Sequence, residues 1–163
     1  MYDYNYPEAR ITGYTLFSNT WHAIHRVVER GFGEVGTTPE KAHVMWVCVQ
    51  HPGIVTPAEL GRILFRESES IAGLLGRMER EGLVTRVLKG KGHPFTEVKI
   101  TTKGEELIHS IILLWAPLVE GVMSPLSDEE VEQFSALLRK LLINAIEKLN
   151  IELKPWPHGD WRL

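Results

Sequence analysis

The stretch TPAELGRILFRESESIAGLLGRMEREG, residues 56–82, decides the fold of this chain. Thr56 is an N-cap residue, Pro57 suits the first helical position, and Glu59 stands where a capping box places its acid, so a helix begins at 57. Leu60, Ile63 and Leu64 then share one face. A turn is expected near Phe65-Arg66. From about Ser68 the apolar residues Ile71, Leu74, Leu75 and Met78 fall at i, i+3, i+4 and i+7, which is one face of a second amphipathic helix, and Gly82 is its natural C′ residue.

Beyond Gly82 the chain turns β-prone. Leu83–Leu88 and Thr96–Ile100 are strand-like, and the seven residues between them hold two glycines and a proline, which suits a loose hairpin with its tip at Lys89–Phe95. Helix, helix, hairpin is the order of a winged helix-turn-helix, with the second helix as the candidate reader of DNA. Charge follows the same division. The whole chain has net charge −3, yet residues 56–103 carry nine Lys/Arg against six Glu, so the basic side chains gather where phosphates would be met. An ordinary solvated face is the plainer account of that excess.

The run from Thr38-Pro39 through Thr102, with HPGIVTPAELGRIL, GLLGRMEREGLVTR and VKITTKGEEL, resembles the MarR family of bacterial transcriptional regulators. The resemblance implies a two-fold homodimer that binds a pseudo-palindromic operator in double-stranded DNA, usually as a repressor, and that a small, often aromatic or phenolic, effector releases. Two departures from the family pattern stand out. Where members usually carry an Asp-x-Arg-like wing, this chain has Gly92 and His93, so minor-groove contact falls to Lys89, Lys91 or His93. Where the recognition helix begins, Glu67-Ser68-Glu69-Ser70 replaces the usual Ser, Arg or Thr. Carboxylates aimed at a phosphate-rich groove are costly unless one accepts from a cytosine N4, caps the helix or pairs with Arg66.

The flanks read as helices too apolar for a monomer. Residues 10–30 place Ile11, Leu16, Phe17, Trp21, Ile24, Val27 and Val28 in one helix that ends near Gly31-Phe32-Gly33. Thr38 caps a helix with Pro39 at its first position and Ala42, Met45, Trp46 and Val49 on its buried face, stopped by His51-Pro52-Gly53. Thr102 with Glu105 offers a capping box for a long helix that Pro117 should kink, and Ser127 with Glu130 offers another for a helix over 128–149. The apolar stripe of that last helix is wider than one contact surface needs. The fold class is therefore mainly α with a small β-hairpin wing. Residues 1–34 and 104–163 are expected to form a helical dimerisation region, and 38–103 the winged helix-turn-helix, within one compact subunit. The tail beyond Asn150 carries Trp156 and Trp161 and is expected to pack on its own or the partner's helices.

Other functions find little support. No Gly-rich phosphate loop, nucleophile elbow or metal-binding helix pair appears, so an enzyme is not expected and no cofactor is implied. His22 and His25 lie three apart, but no Cys or carboxylate at ligand spacing completes a metal site. The single cysteine, Cys48, excludes an intramolecular disulfide. It lies among Trp46, Val47 and Val49 and reads as core packing; some relatives sense oxidants through a cysteine, but this one has no neighbouring basic residue. No apolar run reaches the roughly 18–20 residues that span a membrane, and the polar, tyrosine-rich N-terminus has no signal-peptide core, so a cytoplasmic protein is expected. The residues expected to meet DNA are Arg66, Ser68, Glu69, Ser70, Arg77, Arg86, Lys89, Lys91 and His93. An effector cleft is expected to draw on Phe17, Trp21, His22, His25, Met45 and Trp46. The alternative is a winged-helix module for protein contacts, without sequence-specific DNA binding.

Overall fold

The computed structural model describes residues 5–51, 53–88 and 96–151. In chain order the elements are α1 (Ala9–Glu34), α2 (Pro39–Gln50), α3 (Pro57–Leu64), α4 (Ser68–Arg80), β1 (Val84–Leu88), β2 (Thr96–Ile100), α5 (Thr102–Met123) and α6 (Asp128–Lys148). The two strands pair antiparallel, with Val84 opposite Ile100 and Arg86 opposite Val98.

Local chemistry sets most of the boundaries. Thr38 Oγ1 accepts from the Lys41 N–H at 3.4 Å, and Thr56 Oγ1 accepts from the Glu59 N–H at 3.1 Å. Ser127 and Glu130 form the reciprocal capping box expected of them. At the end of α4 the Leu83 N–H donates to Met78 O and the Gly82 N–H to Glu79 O, a Schellman pair made possible by φ +73° at Gly82.

Two expectations need correction, and one helix end lies a residue further on. The cap of α5 is Thr101, whose Oγ1 accepts from the Gly104 N–H at 3.1 Å, so Thr102 is already helical. Helix α1 ends at Glu34, one residue past the expected Gly31-Phe32-Gly33, and the bare Cα of Gly31 lets Leu118 of α5 approach; an added Cβ would stand 3.1 Å from it. Phe32, one residue on, is buried with its ring 5.7 Å from that of Trp115. Lastly, α5 is long and apolar enough to cross a membrane by length and composition, with mean hydropathy 1.5 over its most apolar window. Here it instead sends Ile108 and Ile111 into the core and sets Leu107, Leu114, Trp115 and Leu118 against it.

One buried cluster joins the two expected regions. Val44, Met45, Leu60, Ile71, Leu75, Met78, Val84 and Val98 from the winged domain pack with Phe32, Ile108 and Ile111 from the flanking helices. The Val98 N–H also donates to Val55 O at 2.8 Å, so the segment before α3 adds a third extended piece beside β2. Helix α6 contrasts with all this. It makes only sparse contact with the rest of its chain, buries Ile146 alone, and leaves Phe134, Leu137, Leu141, Leu142 and Ile143 exposed.

Candidate nucleic-acid interface

The turn between α3 and α4 is tight because of two residues. Phe65 takes the left-handed conformation at φ 52°, and Gly61 lets the chain fold back so closely that a Cβ there would stand 2.9 Å from Arg66 O. The Arg66 N–H closes the turn on Gly61 O at 2.9 Å. Helix α4 leaves this turn with Ile71, Leu74, Leu75 and Met78 buried against the core. Its opposite face exposes Ser68, Glu69, Ser70, Ala72, Gly73 and Arg77. Short side chains there allow close approach to a groove, and the arginine at the far end supplies charge. Ala72 and Gly73 were not among the expected contact residues, because neither carries a group that names a ligand.

The arginines are engaged to different degrees. Arg77 is exposed. Arg66 is half exposed and has Nη2 3.7 Å from Glu40 Oε1, an ion pair with α2 and not with the neighbouring Glu67 or Glu69. Arg86 is held by Glu79: its Nε and Nη2 donate to Oε2 at 2.8 and 2.5 Å, and its backbone N–H donates to Oε1 at 2.9 Å. Its guanidinium therefore already has a carboxylate, which phosphate would have to share or displace. Glu67 occupies the N-cap position of α4 with no side-chain cap bond, while Glu69 lies in the first turn, where the helix dipole favours negative charge. The wing residues Lys89, Lys91 and His93 lie outside the described residues, as do Trp156 and Trp161 of the tail.

Lysines anchor the far end of α4. Lys41 of α2 donates to both oxygens of Glu81 at 2.7 Å, and Lys103 Nζ donates to Glu81 O at 2.8 Å. Their positive charge lies at the negative end of the helix dipole. Neither partner is within 20 residues of Glu81 along the chain, so no local spacing announced them.

The six residues expected to line an effector cleft do not close around a common space. Met45 is wholly buried in the core and Trp46 packs partly against it. Methionine on the inner face of α2 fills volume there. Phe17 and Trp21 lie on the open side of α1, 46% and 55% exposed, and His22 is exposed beside them. Trp21 and His25 do come together, their rings stacked at 5.3 Å. His25 Nε2 is also 3.8 Å from Glu40 Oε1, which brings it within ion-pair reach of α2. A separate apolar groove of about 420 Å³ runs between α1 and α5, lined by Ala23, Ile24, Val27, Pro117, Leu118, Gly121 and Val122. It contains none of the six. Among the described residues no group of three His, Cys, Asp or Glu side chains is arranged to hold a metal ion.

No protein-family model matches the chain. Among individual proteins it is similar to the HTH-type transcriptional regulator MhqR of Bacillus subtilis (strain 168), 24% identical over 132 residues that cover 81% of this chain and 90% of the relative. Among solved structures, the organohalide-sensing transcriptional regulator RdhR in its 2,4-dichlorophenol-bound form superposes with a TM-score of 0.83 at 19% identity, covering 98% of this chain and 96% of that one. A MarR variant from E. coli in complex with operator DNA superposes with a TM-score of 0.72 at 22% identity, covering 78% of this chain and 91% of that one. In fold, this chain is a winged helix-turn-helix protein similar to these regulators.

Proposed function

We propose that the chain is a sequence-specific DNA-binding transcriptional regulator that acts as a homodimer in the cytoplasm, a repressor released by a small aromatic effector. The observation that carries the reading is the outer face of α4, where Ser68, Ser70, Ala72 and Gly73 form a low surface next to Arg77 on a helix-turn-helix. In this reading Ser68, Ser70 and Glu69 meet base edges, Arg66, Arg77 and Arg86 meet phosphates, and Lys89, Lys91 and His93 reach the adjoining minor groove. The likeness to a MarR variant with operator DNA supports it.

A second copy of the chain supplies what the flanking helices lack. Leu137, Leu141, Leu142 and Ile143 of α6, with Ile11, Tyr14 and Leu16 of α1, are apolar and exposed in one subunit. Such an expanse is unfavourable in water and is the kind of surface that an isologous two-fold interface buries. Residues 1–34 and 104–163 form the dimerisation region, and 38–103 the reading domain. Half-sites then lie about 10 bp apart, one helical turn, so that both α4 helices face the same side of the duplex. An effector seated near Phe17, Trp21, His22 and His25, beside the joint between α1 and α2, alters the spacing of the two α4 helices and weakens the fit to the operator. A phenol in the RdhR structure supports the choice of an aromatic effector.

Selection of the purified chain on random duplex DNA at two salt concentrations tests the reading. The expected result is enrichment of a pseudo-palindrome with half-sites one turn apart. Salt-sensitive binding without enrichment would instead favour a winged-helix module for protein contacts, the reading that Glu67 and Glu69 at the start of α4 keep open.

A further inference from the structure

Side chains from α1 and from the turn into α4 meet on one carboxylate oxygen of α2. His25 Nε2 of α1 lies 3.8 Å from Oε1 of Glu40, at the start of α2, and Nη2 of Arg66, in the turn leading into α4, lies 3.7 Å from that same oxygen. On α1, Glu29 Oε1 is 3.7 Å from His25 Nε2, and Glu29 Oε2 is 3.7 Å from Arg26. On α2, His43 feels the group as well: burial lowers its basicity, Glu40 opposes this, and Arg66 and His25 reinforce it. The Glu40 carboxyl is held below its ordinary range. Burial alone would raise it, but its own backbone N–H, the Thr38 side chain and the charges of His25 and Arg66 together outweigh that effect.

Both contacts to Glu40 are ion pairs too long for a hydrogen bond, and Arg66 is half exposed, with room to swing toward solvent. A pair of this kind is worth little net free energy, so a DNA phosphate competes with Glu40 for the guanidinium on nearly even terms. A contact poised this way is adjustable by a third group. His25 is that group, within reach of the same oxygen, and Trp21 is stacked on its ring.

We propose that Glu40 is a positioning residue that restrains Arg66 from DNA phosphate, and that His25 competes with Arg66 for the Glu40 carboxylate and so tunes the restraint. The inference rests on the DNA-binding reading above and deepens it by naming how α1 communicates with the reading head. With both groups beside one oxygen, a closer approach of His25 loosens the hold of Glu40 on Arg66 and frees the guanidinium for phosphate, and withdrawal of His25 leaves Glu40 to Arg66 alone.

The test is fluorescence anisotropy of the full chain on a labelled duplex of mixed sequence over a range of salt concentrations, with thermal melting of each variant to verify folding. Glu40→Gln is expected to tighten binding about 2- to 5-fold and to steepen the salt dependence by up to about one unit per subunit, as one more phosphate is neutralised. Arg66→Gln is expected to weaken binding and flatten that dependence. Adding Glu40→Gln to Arg66→Gln should then change nothing, which separates a restraint on Arg66 from the mere removal of a negative charge. His25→Gln should weaken binding about 2-fold with Glu40 present and have no effect in the Glu40→Gln protein. Glu40→Asp, which keeps the charge on a shorter stem, should fall between wild type and Glu40→Gln. An equal gain from Glu40→Gln with and without Arg66, or no gain at all, overturns the proposal while leaving the DNA-binding reading in place. A wild-type chain that binds no duplex even at low salt removes that reading, and this proposal falls with it.

Discussion

Glu79 of α4 and Arg86 of β1 are joined through both the side chain and the backbone of the arginine, three hydrogen bonds onto one carboxylate. The contact staples α4 to β1, the first strand of the hairpin. Hydrogen bonds from the Arg86 guanidinium hold the Glu79 carboxyl below its ordinary range. A carboxyl lowered in the folded state adds stability that is complete above the unfolded value, about 4.3, and lost as pH falls through the lowered one. Glu79→Gln is expected to cost about 0.5–1 kcal/mol at neutral pH, because the pair is well aligned but exposed to water. The difference from wild type, measured by urea denaturation, should shrink steadily as the pH is taken below the ordinary glutamate range.

Gly104 is the least replaceable glycine in the described chain. A Cβ there would stand 2.3 Å from Leu83 O and 2.6 Å from Ile100 Cγ1, and the carbonyl belongs to backbone that cannot step aside. Gly104→Ala is expected to destabilise the fold by about 2–3 kcal/mol, at the upper end of overpacking costs. Gly76 of α4 has nothing within 4 Å of its Cβ position. Gly76→Ala should therefore raise stability by about 0.5–1 kcal/mol through helix propensity alone. Melting curves of the two variants moving in opposite directions would verify both statements.

Cys48 is partly buried against the core, and burial pushes its thiol up to about 12. Since the thiolate is the reactive form, the folded protein should resist thiol labelling at neutral pH and take up one equivalent on unfolding. Mild peroxide should leave DNA binding unchanged. Rapid labelling of the native chain would contradict this.

Leu137 and Leu141 are 59% and 56% exposed on α6. If a partner subunit covers them, Leu137→Glu and Leu141→Glu each place a charge in an apolar interface and should shift sedimentation from dimer to monomer at micromolar concentration. A wild-type chain that sediments as a monomer would contradict the homodimer.

Ser70 and Lys91 separate sequence preference from general affinity. Ser70→Ala should change which duplexes are preferred. Lys91→Ala should weaken all duplexes alike and reduce the salt slope by about one. Equal behaviour of the two variants would place neither at its expected contact.

Much of the fold was legible because its signals are local. Thr38, Thr56 and Ser127 cap the helices they were expected to cap, since a hydroxyl and a nearby N–H need no help from the rest of the chain. Helix α4 was legible from the spacing of Ile71, Leu74, Leu75 and Met78, all of them buried. Thr101 and Thr102 could not be told apart so easily, because Glu105 makes Thr102 look like the cap; carbonyls of Gly82 and Leu83, far back along the chain, draw Thr101 into the role. The Glu40 and Arg66 pair, and the Val98 bond to Val55, are likewise tertiary and have no periodic trace. Met45 and Trp46 were both expected at a cleft, and only the fold places the first wholly inside the core and the second partly against it.

Thr101 also determines how motion is handed on. Its hydroxyl donates to Gly82 O at 2.6 Å and accepts from the Gly104 N–H, while its backbone N–H donates to Leu83 O at 3.1 Å. One residue thus welds the tail of α4, the foot of the hairpin and the head of α5 into a single stiff elbow, with Lys103 bracing it on Glu81. A tilt of α5 should therefore carry α4 and the two strands with it, as a forearm carries its hand. Loosening this elbow would leave each part folded but no longer steered.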